Sequence, residues 1–278
     1  MNTMLEEDFY YWGKPTSTID WCEENYVISP YLAEFFNTTT NLVFGFLALF
    51  GIYNTITNNF SKSFVIAHLA VLFVGVGSWF FHMTLQYEMQ LLDELPMIYA
   101  ASVMVWAIFE IHPQRRYGIW LPLFLVGYSV FVTYSYIIIN NPVYHQVCYG
   151  LLVGTVVIRS VYVSHKLPAA YQGYEKLWMV RLLWIAASCF GGAFVVWNID
   201  NQFCTTLRGW RSTVGLPLGA ISELHGWWHI GTSLGVYYFV VYCEWVHQVM
   251  NGKAPRYEIR WVGPLCYLRP AKGQLKTN

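Results

Sequence analysis

From residue 37 onward, long apolar runs alternate with short polar turns. Crossing roughly 30 Å of hydrocarbon takes about 20 helical residues. Runs of that length lie near 37–57, 63–83, 91–110, 117–139, 143–163, 177–197 and 223–246. The pattern predicts one all-α domain, a seven-transmembrane helical bundle over residues 37–246. A polar and aromatic arm precedes it over 1–36, and a tail follows over 247–278. There is no internal repeat or low-complexity run. The arm lacks the basic-then-apolar order of a cleavable signal peptide, so the first membrane helix is expected to act as its own insertion signal.

Composition strengthens the membrane reading. Hydrophobic residues make up 56% of the chain and charged residues 12%, against about 25% charged in ordinary soluble domains. A formal net charge of zero gives no reason to expect nucleic acid as a partner.

Basic residues set orientation. With the N-terminus lumenal, the outer segments hold Lys14, Arg208 and Arg211. The inner loops and tail hold Lys62, Arg115, Arg116, Lys166, Lys176, Lys253, Arg256, Arg260, Arg269, Lys272 and Lys276, with Arg159 and Arg181 at inner helix ends. The asymmetry predicts a lumenal N-terminus and a cytosolic C-terminus.

That orientation brings the candidate chemistry together. Ser78 and His82 are four residues apart, on one face of the second helix. A short turn returns Asp93 beside them, and Glu223-Leu-His-Gly-Trp-Trp-His229 opens the last apolar run with His225 and His229 at the same spacing. The second helix runs outward and the third and seventh run inward, so all five residues fall in the lumenal layer. An even number of helices between the clusters would have separated them.

Three imidazoles with an open fourth position suit catalytic zinc. Such a metal acidifies its water and polarises a carbonyl, with Asp93 as a base and Ser78 as a donor to the developing oxyanion. Gly226 stands where a zincin would carry its glutamate base, so the base must come from elsewhere. Taken singly, the same residues have plainer readings: Ser78 in helix packing beside Gly75 and Gly77, Asp93 as a helix N-cap. His68, His145 and His247 are expected to be interfacial, and Phe80–Phe81 and Trp227–Trp228 to be packing or aromatic belt. Ionisable residues in membrane helices are costly and usually functional, which favours the joint reading.

In the arm, Asp20, Glu23, Asn25 and Glu34 with the Trp21 carbonyl offer oxygens that would suit calcium. The spacing is not that of an EF-hand, and on spacing alone a solvated acidic arm is the commoner explanation. Of six cysteines, only Cys22 and Cys204 lie in proposed lumenal segments, an oxidising setting, and they are expected to pair. Cys148, Cys189 and Cys243 read as small hydrophobes. The sequon at Asn37 lies too close to the membrane for glycosylation, and that at Asn59 faces the cytosol.

The sequence resembles the alkaline ceramidases, seven-helix membrane hydrolases related to the adiponectin receptors, most nearly their alkaline phytoceramidase branch. The resemblance spans nearly the whole chain. Its motifs are DWCEEN at 20–25 with Glu34, GVGSWFFHMTL at 75–85, LLDELPM at 91–97 and ELHGWWH at 223–229. It implies zinc held by His82, His225 and His229, with Ser78 and Asp93 as the catalytic pair. It also implies structural or regulatory calcium held by Asp20, Trp21, Glu23, Asn25 and Glu34, and a lumenal Cys22–Cys204 disulfide.

The implied reaction is hydrolysis of a ceramide, dihydroceramide or phytoceramide to a sphingoid base and a free fatty acid, in endoplasmic reticulum or Golgi membranes. The lipid substrate would enter laterally from the bilayer, and no obligate protein partner is implied. A related membrane lipid ester hydrolase and a seven-helix receptor with structural zinc are the competing readings. A transporter lacks the expected repeat halves.

Overall fold

The computed structural model describes residues 10–112, 114, 116–166 and 171–271. Arg115, Lys272 and Lys276 of the charge asymmetry lie outside these residues, as do the first nine residues of the arm. The helices are α1 (Phe35–Thr40), α2 (Leu42–Thr57), α3 (Lys62–Thr84), α4 (Tyr87–Phe109), α5 (Trp120–Ile139), α6 (Pro142–His165), α7 (Tyr174–Val214) and α8 (Leu224–Met250). With α1 and α2 counted as one stretch, six helices among the described residues are long and apolar enough to cross a membrane.

The remaining long helix, α8, touches α1, α2, α3, α4 and α7. Its Thr232, Ser233, Glu244 and Gln248 are buried. A helix enclosed by other helices can carry polar groups that a lipid-facing one cannot, which is why α8 is less apolar than its neighbours. Phe44, Leu47, Phe64, Met104, Leu182, Tyr242 and Trp245 belong to the core around it. The outward faces present Phe46, Tyr53, Phe73, Phe124 and Trp184, an apolar wall suited to hydrocarbon.

Three features depart from the sequence reading. The sixth apolar run continues past residue 197 to Val214, in a helix kinked at Phe203. At 1.5 Å per residue it is about 60 Å long, twice the hydrocarbon thickness, so its C-terminal part projects beyond the bilayer and packs on the arm. The tail is not featureless: Tyr257–Val262 (β1) pairs antiparallel with Leu265–Pro270 (β2), adding a hairpin to an otherwise helical fold. Tyr237 donates to the Cys266 carbonyl at 2.7 Å, and Asn58 donates to that of Leu268 at 3.3 Å, docking the hairpin under the bundle.

The third departure concerns histidines. His68 and His145 are interior, not interfacial. The His68 ring fills the space over Gly51, where a Cβ would lie 2.2 Å from it. The His145 Nε2 lies 2.7 Å from the Glu94 carbonyl. His247 is half-buried, edge-on to Phe64.

Candidate metal centre

The α3–α4 connection is only two residues long. Leu85 adopts the left-handed conformation, with φ 53°, and its carbonyl accepts from the Thr16 and Ser17 amides at 3.1 Å each. Below this turn the two backbones meet at Gly77, where a Cβ would lie 1.9 Å from the Leu92 carbonyl oxygen. Only glycine fits that approach. It sets the Ser78 side chain within electrostatic reach of the Asp93 carboxylate. Asp93 stands six residues into α4, so it is not the helix cap that a plainer reading allowed.

The first turns of α8 bring His225 and His229 to His82. Ring centroids lie 5.1 Å apart for His82–His225, 4.8 Å for His82–His229 and 4.7 Å for His225–His229. One ring nitrogen from each lies within 4.8 Å of the others, and all three residues are buried. His82 Nε2 and His225 Nδ1 have no hydrogen-bond partner among the described residues. Leaving such groups unpaired costs about 1–3 kcal/mol each. Three converging imidazoles, two of them with unused nitrogens, fit a tetrahedral metal with an open position, and zinc is the metal that donor set suits.

The arm closes over this triad. Ala33 and Glu34 donate their amides to the Met83 and His82 carbonyls at 3.0 Å each, satisfying carbonyls that the end of α3 leaves free. The Glu34 carboxylate in turn hydrogen-bonds His82 Nδ1. Trp21 stacks on His225, with ring centroids 4.1 Å apart. Glu23 accepts from the Phe36 and Asn37 amides at 2.7 and 2.8 Å, capping the start of α1.

Among the expected calcium ligands, Asn25 donates to Asp20 at 3.3 Å. Asn25 Oδ1 and Glu34 Oε1 are buried without hydrogen-bond partners among the described residues. Burial pushes Glu34 up to about 8. Burial and then the Glu34 charge do the same to Glu23. A nearby divalent cation reverses that balance. Free buried oxygens beside carboxylates fit a hard cation, while the Trp21 carbonyl already accepts from Arg208 at 3.1 Å.

A Cys22–Cys204 disulfide ties the arm to the projecting part of α7, as expected. Arg211 adds ion pairs to Glu24 at 3.0 Å and Glu223 at 2.9 Å and hydrogen-bonds the Cys22 carbonyl.

The sequence profile of the ceramidase family matches residues 13–269. This chain belongs to the ceramidase family. The protein is 44% identical to alkaline ceramidase 3 of Mus musculus, over 84% of each chain. It is 35% identical to alkaline ceramidase YPC1 of Saccharomyces cerevisiae, over 90% of this chain and 83% of that one. An alkaline ceramidase of Arabidopsis thaliana is 29% identical over 94% and 96%. The chain is therefore an enzyme of the alkaline ceramidase type.

Sequence reasoning missed three parts of this ceramidase's site. Thr40 reaches His229 Nδ1 at 3.0 Å, but it sits in an Asn-Thr-Thr-Thr run where no hydroxyl stands out. Arg208 and Arg211 served only as topology signals, although their spacing of three on a helix could have shown one basic face toward the acidic arm. Asn37, read only as a sequon, is buried and donates to Glu34 at 3.2 Å.

Proposed function

We propose that this protein is a zinc-dependent intramembrane amidase. It hydrolyses ceramides to a sphingoid base and a free fatty acid. The observation that carries the reading is the buried triad of His82, His225 and His229, two of them with unpartnered nitrogens, with Ser78 one helical turn from His82 and set against Asp93. Zinc held by these imidazoles supplies Lewis-acid polarisation of the amide carbonyl and an acidified water.

Asp93 takes the proton of the attacking water and delivers it to the departing amine as the C–N bond breaks. Ser78 donates to the oxyanion that forms on the carbonyl oxygen. Seven helices crossing the bilayer, with α8 enclosed as the last, put this layer near the lumenal surface, at the depth of a ceramide head group entering laterally. Residues 1–36 form a lumenal calcium-binding arm, 37–246 the transmembrane hydrolase and 247–278 a cytosolic tail. Calcium among Asp20, Trp21, Glu23, Asn25 and Glu34 orders the arm and stimulates turnover. Endoplasmic reticulum or Golgi membranes are the compartment consistent with the disulfide and the substrate.

The test is sphingoid-base release from defined ceramides by purified protein, wild type and His229→Ala, each with and without calcium. Release by wild type that is abolished in the variant supports the reading. Wild type that binds zinc yet releases nothing from any ceramide overturns it.

A further inference from the structure

His82 and His225 are held by features the sequence singled out, Glu34 and Trp21. The third imidazole is held differently. Thr40 Oγ1 lies 3.0 Å from His229 Nδ1, 2.8 Å from the Phe36 carbonyl and 3.2 Å from the Asn37 carbonyl. A threonine hydroxyl has one proton and two lone pairs. Carbonyls only accept, so that proton is engaged by the backbone and the oxygen meets the imidazole as an acceptor. The ring nitrogen that meets this accepting oxygen must be the donor.

We propose that Thr40 is a positioning residue for His229. Its hydroxyl holds the proton on Nδ1, and the Nε2 lone pair then points at the metal, as outer hydrogen bonds do for metal-bound imidazoles generally. This rests on the zinc reading above. The packing is built for the contact: a Cβ at Gly226, one turn before His229, would lie 3.3 Å from the Thr40 methyl, so glycine lets α1 close on α8. A side chain in α1 thereby fixes the tautomer of a ligand in α8, 189 residues later.

The experiment compares wild type, Thr40→Val and Thr40→Ser as purified full-length protein. Zinc is withdrawn by a graded chelator and measured by elemental analysis, alongside kcat, KM and the thermal midpoint of the metal-free protein. Thr40→Val keeps the shape and removes the acceptor. Its zinc affinity is expected to fall about 10- to 100-fold, with kcat reduced, KM unchanged and the metal-free midpoint close to wild type. Thr40→Ser restores the affinity.

Thr40→Val holding zinc as tightly as wild type overturns the role of Thr40 and leaves the zinc reading standing. Wild type that holds no zinc overturns both. Should Thr40→Val fail to fold, nitrogen NMR of zinc-loaded wild type decides: His229 protonated at Nδ1 and metal-bound through Nε2 supports the proposal, and binding through Nδ1 overturns it.

Discussion

Asp93 and Glu94 are neighbours on α4, both acids in an apolar helix, and they live in different regimes. Asp93 faces α3 beside Ser78, one helical turn from His82 in a helix end that keeps unpartnered imidazole nitrogens nearby. Glu94 faces α5 and α6. It hydrogen-bonds the Tyr136 hydroxyl and accepts from Gln90 at 3.0 Å. Gln90 in turn ties Thr18 of the arm through bonds of 2.8 Å, and the His145 ring reaches the Glu94 carbonyl. The two regions share residue types and depth. They differ in unused valence: the Glu94 network is closed on itself, while the Asp93 side holds polar atoms without hydrogen-bond partners among the described residues. Closed networks rigidify a fold, and open ones are costly unless a ligand completes them.

The largest effect that separates the regions comes from removing an imidazole. His225→Ala is expected to lose bound zinc and reduce sphingoid-base release to background, measured by elemental analysis and product assay on the same preparation. A variant that kept both would break the contrast at its root. Next comes the base. Asp93→Asn preserves shape and removes the proton acceptor, so zinc stays bound while kcat falls by about 10²–10⁴-fold. Turnover within a few-fold of wild type would move the base elsewhere. Ser78→Ala loses one oxyanion donor, worth about 10²–10³ in kcat, with zinc again retained.

A smaller effect is expected in the arm. Asp20→Asn removes a carboxylate from beside the unpartnered Asn25 Oδ1 and Glu34 Oε1, so calcium should be needed at higher concentration for the same turnover. A calcium titration that superimposed on wild type would leave the acidic run as a solvated arm.

Much of this contrast was legible in the sequence, and the missing parts share a cause. Helix parity and basic-residue asymmetry place His82, Asp93, His225 and His229 in one layer because a bilayer forces each apolar run to cross it. Those same forces say nothing beyond the hydrocarbon. The stretch from Asn198 to Val214 is polar enough to end a hydropathy run, yet its backbone stays helical and carries Cys204, Arg208 and Arg211 to the arm. The hairpin from Tyr257 to Pro270 alternates too briefly to stand out from a tail. The role of Thr40 and the partners of Glu94 were invisible for another reason. A hydroxyl or an acid looks alike in sequence whether its partner is a metal-bound ring or a buried tyrosine, and only packing decides which.

The smallest expected effect tests the closed side directly. In Tyr136→Phe the Glu94 network loses one donor and the carboxylate keeps Gln90 and, at 3.9 Å, the His145 ring, so the cost falls on stability, about 1–3 kcal/mol for a buried acceptor left short. Tyr136 is buried at the α5 end of the network, while the imidazoles come from α3 and α8. Zinc content, kcat and KM per folded molecule should therefore match wild type while the thermal midpoint drops. A loss of zinc affinity alongside the lower midpoint would mean that α4 transmits strain from one acid to its neighbour, and the two regions would have to be treated as one.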